Sequence, residues 1–321
     1  SPADNFAYGA MKIIASIPAI TCVSFGSECG DIEKLTKVAD LLTNVPKEIS
    51  EDIEKYLDEG CSFPRARAAA VNNYLSAREE MKELVGIIDS PNNILGLAYI
   101  VAAKKLNANI KFHTITRMGG GYNDTSIETA FPSASAIREA ALQGKLSEIA
   151  SQVPPYTYTL LQNCSFSKNS LGDLILFRIK ELGAAELATF YDVTGGLHNR
   201  LKIAAETSNT FEQYLESAKT KKYTLAKIKR VSLYALLNIR KDLYNLALES
   251  DPYLFILALN KERKDILTYL SENCKNVLIR YSDIDKVDKT LRPLIKLDFT
   301  AQGLLGLINH SNYYNKKMVL V

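Results

Sequence analysis

The sequence predicts an α/β protein with a parallel-sheet domain first, a helical domain next and a small α/β element last. Three observations carry this. Short β-branched runs alternate with helical periodicity over residues 1–150, the order that crossover helices on a parallel sheet require. Residues 151–250 are helical in pattern, with no other periodicity from Ser170 to Leu248. Strand–helix–strand order returns within residues 251–321. A chain of 321 residues has room for about two domains with cores of their own.

The elements follow in order. Ser1-Pro2-Ala3-Asp4 opens a helix, with Asp4 placed to cap the run from Phe6 to Ile14. A short strand, Ile20 to Phe25, ends in the sharp turn Gly26-Ser27-Glu28, and open parallel sheets put their ligands at such strand ends. Residues 31–84 read as a helical insertion, because Ile32, Leu35, Val38, Ala39 and Leu42 recur at helical spacing, as do Ile49, Ile53 and Tyr56. Glu59-Gly60 and Pro64 separate these from a helix running from Arg65 to Lys82. Ser90-Pro91-Asn92-Asn93 caps an apolar helix, Ile94 to Leu106. The alternating run from Ile110 to Arg117 marks a second strand that leads into Gly119-Gly120-Gly121, and a helix follows from Ser135 to Leu142. After Pro154-Pro155 the helical domain begins; strands from Tyr253 to Leu259 and Val277 to Tyr281 later flank a helix from Glu262 to Leu270.

Composition excludes several classes. With 47% apolar and 23% charged residues the chain is not disordered, collagen-like or a disulfide scaffold. No run reaches the roughly 18 uncharged apolar residues of a membrane-spanning helix, and no basic-then-apolar leader opens the sequence, so a cytoplasmic protein without membrane attachment is expected. The five cysteines are scattered without a Cys-x-x-Cys pair, and the three histidines lie far apart, so no metal site is expected. A net charge of +3 means that any nucleic-acid surface is local.

Two segments carry chemistry. In Ser133-Ala134-Ser135-Ala136-Ile137-Arg138, small hydroxyl residues enter a helix whose first N–H groups and dipole suit a phosphate. Ser133, Ser135 and Arg138 are therefore candidate catalytic residues; the alternative is an ordinary cap with a surface arginine. Arg117 ends a strand, and Gly119 and Gly120 let backbone approach a ligand closely, unless the glycines are only a mobile loop. Asn92 and Asn93 either cap their helix or read a purine edge or ribose, and Gly26 is either a close-approach point for that nucleotide or a plain turn. The second segment, Lys219 to Arg230, holds basic residues and no acid. On a helix Tyr223, Lys227 and Arg230 share a face, a pattern that suits a phosphate backbone with unstacked bases, or else a solvated surface. Lys222 and Lys229 belong to the same run, and Arg200 with Lys202 extends the patch.

Ordered motifs then resemble those of the tRNA(Met) cytidine acetate ligase family: Gly26-Ser27-Glu28 with Gly30-Asp31-Ile32-Glu33, Ser90 to Gly96, Arg117 to Thr125, Ser133 to Arg138, Gly196 to Leu201, and Lys222 to Arg230. The resemblance implies a Rossmann-like nucleotidyltransferase domain that activates acetate with ATP, and a helical domain that helps hold elongator tRNA(Met). It implies an acetyl-adenylate intermediate whose acetyl group passes to the wobble cytidine. Gly26, Asn92 and Arg117 then look like ATP contacts, and Ser133, Ser135 and Arg138 a second phosphate motif. Mg²⁺ would accompany ATP, although no protein ligand for it stands out. The family pattern also includes an earlier strand and a His-x-Gly-His loop that nothing here matches. Either the sequence shown lacks its front, which the helical entry and missing methionine favour, or the protein is a member without that chemistry. His198, Ala226 and Lys227 also depart from the family pattern. Two other readings stay open: an adenylate-forming enzyme with another acid or acceptor, and an RNA-binding protein with a vestigial nucleotide site.

Overall fold

Two parallel strands organise the first half of the chain. In the computed structural model, which describes residues 1–118, 127, 131–163, 170–308 and 318–321, β1 (Cys22–Ser27) pairs with β2 (Lys111–Thr116) from Cys22 opposite Lys111 to Ser27 opposite Thr116. Parallel strands need a long crossover, and here it carries the helical insertion. Its helices are Ile32–Thr43, Lys47–Asp58 and Phe63–Ser76; after the short turns Glu79–Leu84 and Ile87–Asp89, the helix Pro91–Lys105 leads back to β2.

Helical spacing explains the packing. Leu35, Val38 and Ala39 fall on one face of Ile32–Thr43 and are fully buried with Ile49, Val71, Leu75, Leu97 and Ile100; Phe25 and Phe112 of the strands pack against this cluster. Gly96 permits the close approach of helix to strand, because a Cβ there would stand 2.4 Å from Phe25 Cε2. The first helix, Ala3–Ala15, buries Met11 against Ala102 and Ala103. Strand alternation points Val23, Phe25 and Phe112 inward, while Ser24, Gly26, His113 and Ile115 on the other face are exposed.

Several boundaries differ from expectation. The first helix starts at Ala3 with Pro2 at its cap; Asp4 sits in the first turn and pairs with Arg67 at 3.0 Å instead of capping. Strand β1 runs through Ser27, so Gly26 is a strand residue and the turn begins only after it. Pro64 lies in the first turn of Phe63–Ser76, where its missing N–H costs nothing, and that helix ends at Ser76 before a separate 3₁₀ turn.

Beyond this unit, Ser170–Glu181, Leu197–Glu206, Phe211–Ala218 and Leu225–Leu236 surround a core that includes Ile179, Phe190, Leu201 and Tyr214. The Tyr214 hydroxyl bonds Ser232 at 2.7 Å, and burial pushes the phenol up to about 12. In the last part β3 (Leu254–Phe255) runs parallel to β5 (Val277–Leu278), and β4 (Ala258–Leu259) parallel to β6 (Val319–Leu320). Lys264–Asn273 forms the intervening helix, and Leu278, Leu291, Ile295 and Phe299 form a separate core. The long helix Arg292–Ile308 was not anticipated from sequence. Asn5 of the first helix donates to the Tyr191 hydroxyl at 2.9 Å and so ties the front of the chain to the middle. No single helix among the described residues is long and apolar enough to cross a membrane.

Candidate functional site

The end of β1 and the start of Pro91–Lys105 meet at one carboxylate, and the end of β2 joins them through Asn92. Glu28, the first residue after β1, accepts the Asn92 side-chain amide at 2.6 Å and the Asn92 N–H at 3.3 Å on Oε1. Its Oε2 accepts the Asn93 N–H at 2.9 Å. Ser90, at the cap position, makes no side-chain cap bond, so Glu28 satisfies the helix start from outside and opposes its dipole. Partial burial pushes the Glu28 carboxyl up, but the bond from the Asn92 side chain and the backbone bonds outweigh it and hold the group below its ordinary value.

Arg117, just past β2, donates its backbone N–H to Ser27 O at 2.9 Å and its Nη1 to Asn92 Oδ1 at 3.4 Å. Ser27 is buried; its hydroxyl bonds Thr114 Oγ1 at 2.7 Å and accepts the Gly30 N–H at 2.9 Å. Gly30 has φ +65°, and a Cβ there would stand 2.0 Å from Thr116 Oγ1, so only glycine fits. The structure thus gathers Gly26, Asn92 and Arg117 at the strand ends.

Asn93 differs. It is 3% exposed, its Oδ1 accepts the Cys29 N–H at 3.0 Å, and its Nδ2 donates to Ile87 O at 3.0 Å. Both ends of this amide hold the loops together, which corrects its expected placement as a ligand contact. Sequence reading did not single out Glu28, because its partners Asn92 and Asn93 lie far along the chain and the lack of a Ser90 side-chain cap bond shows only in the folded protein.

Ser133 is the buried cap of Ala134–Leu142, where its hydroxyl accepts the Ala136 N–H at 3.0 Å; Arg138, exposed on that helix, donates to Ser135 Oγ at 3.2 Å. Gly119 and Gly120 lie outside the described residues.

The basic segment folds differently from the expected single face. Its helix begins only at Leu225, with Thr224 as cap, so Tyr223 precedes it. Tyr223 is buried and donates its hydroxyl to Gly195 O, so it presents no ring for base stacking. Lys227 and Arg230 both pair with Asp192, at 2.8 and 2.5 Å. Arg200 donates Nε to Ala218 O and Nη2 to Ser217 O, each at 2.7 Å, and so closes the end of Phe211–Ala218. Lys222 and Lys229 are exposed. Asp192 and the carbonyls at 217–218 are distant in sequence from the cations they hold, so no local window could reveal these pairings. Among the described residues no group of three His, Cys, Asp or Glu could hold a metal ion.

With this geometry in view, comparisons with known proteins become decisive. A family model described as HIGH Nucleotidyl Transferase matches residues 1–319. A protein of Clostridium perfringens (strain SM101 / Type A), named tRNA(Met) cytidine acetate ligase, is 30% identical over 325 residues that span 100% of this chain and 80% of its own. A protein of the same name from Alkaliphilus metalliredigens is 32% identical, spanning 98% of this chain and 78% of its own. The chain belongs to the tRNA(Met) cytidine acetate ligase family of HIGH nucleotidyl transferases. The fold agrees: the crystal structure of Thermotoga maritima TmcAL in its apo form superposes with a TM-score of 0.91 at 27% identity, covering 100% of this chain and 82% of that one. The same Thermotoga protein bound with alpha-thio ATP gives 0.85 at 26% identity, covering 99% and 81%. The family resemblance and the nucleotidyltransferase-like α/β class are both borne out by this membership.

Proposed function

We propose that the protein is an ATP-dependent ligase that acetylates the wobble cytidine of elongator tRNA(Met) through an acetyl-adenylate. The observation that carries this is the meeting of Gly26, Asn92 and Arg117 at the ends of a parallel strand pair, in a family one of whose members has been solved with an ATP analogue. Ligands of open parallel sheets bind at such ends.

In the first step a carboxylate oxygen of acetate attacks the α-phosphorus of ATP. The bond to the bridging oxygen breaks, and pyrophosphate leaves. In the second the cytidine amine attacks the acetyl carbon, AMP departs with the bonding electron pair, and the nitrogen gives up one proton to water. Both steps need charge held still more than they need a side-chain nucleophile, so arginines, hydroxyls and N–H groups suffice. Arg117 holds a phosphate oxygen, and the helix start at Ser133, Ser135 and Arg138 holds another. Glu28 is the carboxylate of the strand-end cluster, and both its oxygens accept N–H groups. Among the described residues no group of three His, Cys, Asp or Glu stands there to ligate Mg²⁺.

Lys222 and Lys229 contact the tRNA backbone, on a surface whose shape Arg200, Tyr223, Lys227 and Arg230 maintain. The first 150 residues thus handle ATP, residues 151–250 handle tRNA, and the work is cytoplasmic. The test mixes full-length protein with ATP, acetate and elongator tRNA(Met). Pyrophosphate release with acetylcytidine in the tRNA is expected; absence of both leaves an RNA-binding protein, and release without acetylcytidine assigns another acceptor.

A further inference from the structure

We infer that Glu28 is a positioning residue for ATP, acting by fixing the Asn92 amide so that its oxygen faces Arg117. The inference rests on the reading of the strand ends as a nucleotide site. An asparagine amide has an acceptor end and a donor end of nearly the same shape, and a guanidinium only donates. Asn92 therefore serves Arg117 in one of its two orientations and repels it in the other.

Glu28 decides the orientation. Its Oε1 lies 2.6 Å from Asn92 Nδ2, a charge-assisted length, and this leaves Oδ1 to meet Arg117 Nη1 at 3.4 Å. The same carboxylate takes the N–H groups of Asn92 and Asn93, so the helix start cannot turn against β1. The two oxygens serve a set of donors that only an acceptor without a proton of its own can satisfy. A glutamine keeps one oxygen and must set its NH₂ against either the Asn93 N–H or the Asn92 donors, so its hold on the Asn92 amide, and through it on Arg117, is weakened. A further consequence concerns where phosphate goes. The N-terminus of Pro91–Lys105 already holds the Glu28 carboxylate, so its dipole is spent, and nucleotide phosphate falls to Arg117.

The test is a double-mutant cycle on the full-length protein, with ATP affinity read by calorimetry for wild type, Glu28→Gln, Arg117→Ala and the double variant. Arg117→Ala is expected to weaken ATP about tenfold or more, and Glu28→Gln by about threefold to tenfold. The double variant should bind no more weakly than Arg117→Ala alone, because Glu28 acts only through that arginine. In turnover, Glu28→Gln should raise KM for ATP more than it lowers kcat. A rescue keeps the test sound if Glu28→Gln is poorly folded. In Glu28→Gln combined with Asn92→Asp, the donor and acceptor exchange places across the same gap, so the pair should bind ATP more tightly than Asn92→Asp alone. Losses that multiply in the double variant, or failure of that rescue, overturn the inference while leaving the nucleotide site standing. An Arg117→Ala protein with unaltered ATP affinity overturns the nucleotide site itself, and the inference with it.

Discussion

The aliphatic stem of Arg117 lies over Gly26, so closely that a Cβ on Gly26 would stand 3.2 Å from Arg117 Cγ. The absent side chain on β1 is what lets the arginine at the end of β2 reach across to Asn92. Gly26→Val fills that space and displaces the guanidinium. ATP affinity should fall by about tenfold, the scale of one charge-assisted hydrogen bond. Stability should change by less than about 1 kcal/mol, since valine suits an exposed strand position. Calorimetric ATP titration alongside urea unfolding measures both; an unchanged affinity would detach Gly26 from the site.

The helix start at Ser133 offers a separable pair of effects. Ser133→Ala removes the acceptor of the Ala136 N–H and should cost about 1 kcal/mol of stability, as lost caps do. Arg138→Ala touches an exposed side chain bonded to Ser135 and should leave stability alone while weakening ATP by about 1.5 to 3 kcal/mol. Equal ATP affinity in Arg138→Ala and wild type would remove this helix from the phosphate site.

The basic surface divides into working and structural cations. Lys222→Ala and Lys229→Ala should each lower the slope of log affinity for tRNA against log salt by about one, with no loss of fold. Arg230→Ala strips Asp192 of a partner at 2.5 Å and should act on stability by about 1 to 3 kcal/mol. Filter binding across a salt series, with urea unfolding beside it, separates the groups; a slope unaltered by the lysine changes returns that surface to plain solvation.

Much of this was legible in the sequence because it is local. The three-to-four spacing of Leu35, Val38, Ala39 marked the insertion, and the β-branched run around Phe112 to Thr116 marked β2. What escaped was set by partners far along the chain. β1 continues through Gly26 because its pairing partner Ile115 is there, a match that no window around Gly26 contains. Tyr223 looked like a stacking platform until Gly195 O claimed its hydroxyl and the core its ring. Lys227 and Arg230 sit in an acid-free run, yet Asp192, in the loop before Leu197–Glu206, pairs with both.

Acid should test the Glu28 cap. Its carboxyl is held below the ordinary 4.5, so the stability it contributes is full above pH 4.5 and fades as pH falls through the lower folded value. Urea midpoints of wild type and Glu28→Gln should therefore differ at neutral pH and converge on descent below 4.5. A gap that stays constant into acid would contradict the bonding seen at Glu28.

The strand-end nucleotide site stands or falls most directly on one titration: ATP into the full-length protein and into its Arg117→Ala variant, under identical magnesium and salt. The variant should bind about 1.5 to 3 kcal/mol more weakly, as expected when a guanidinium is taken from a phosphate. The same dissociation constant for both proteins would contradict it.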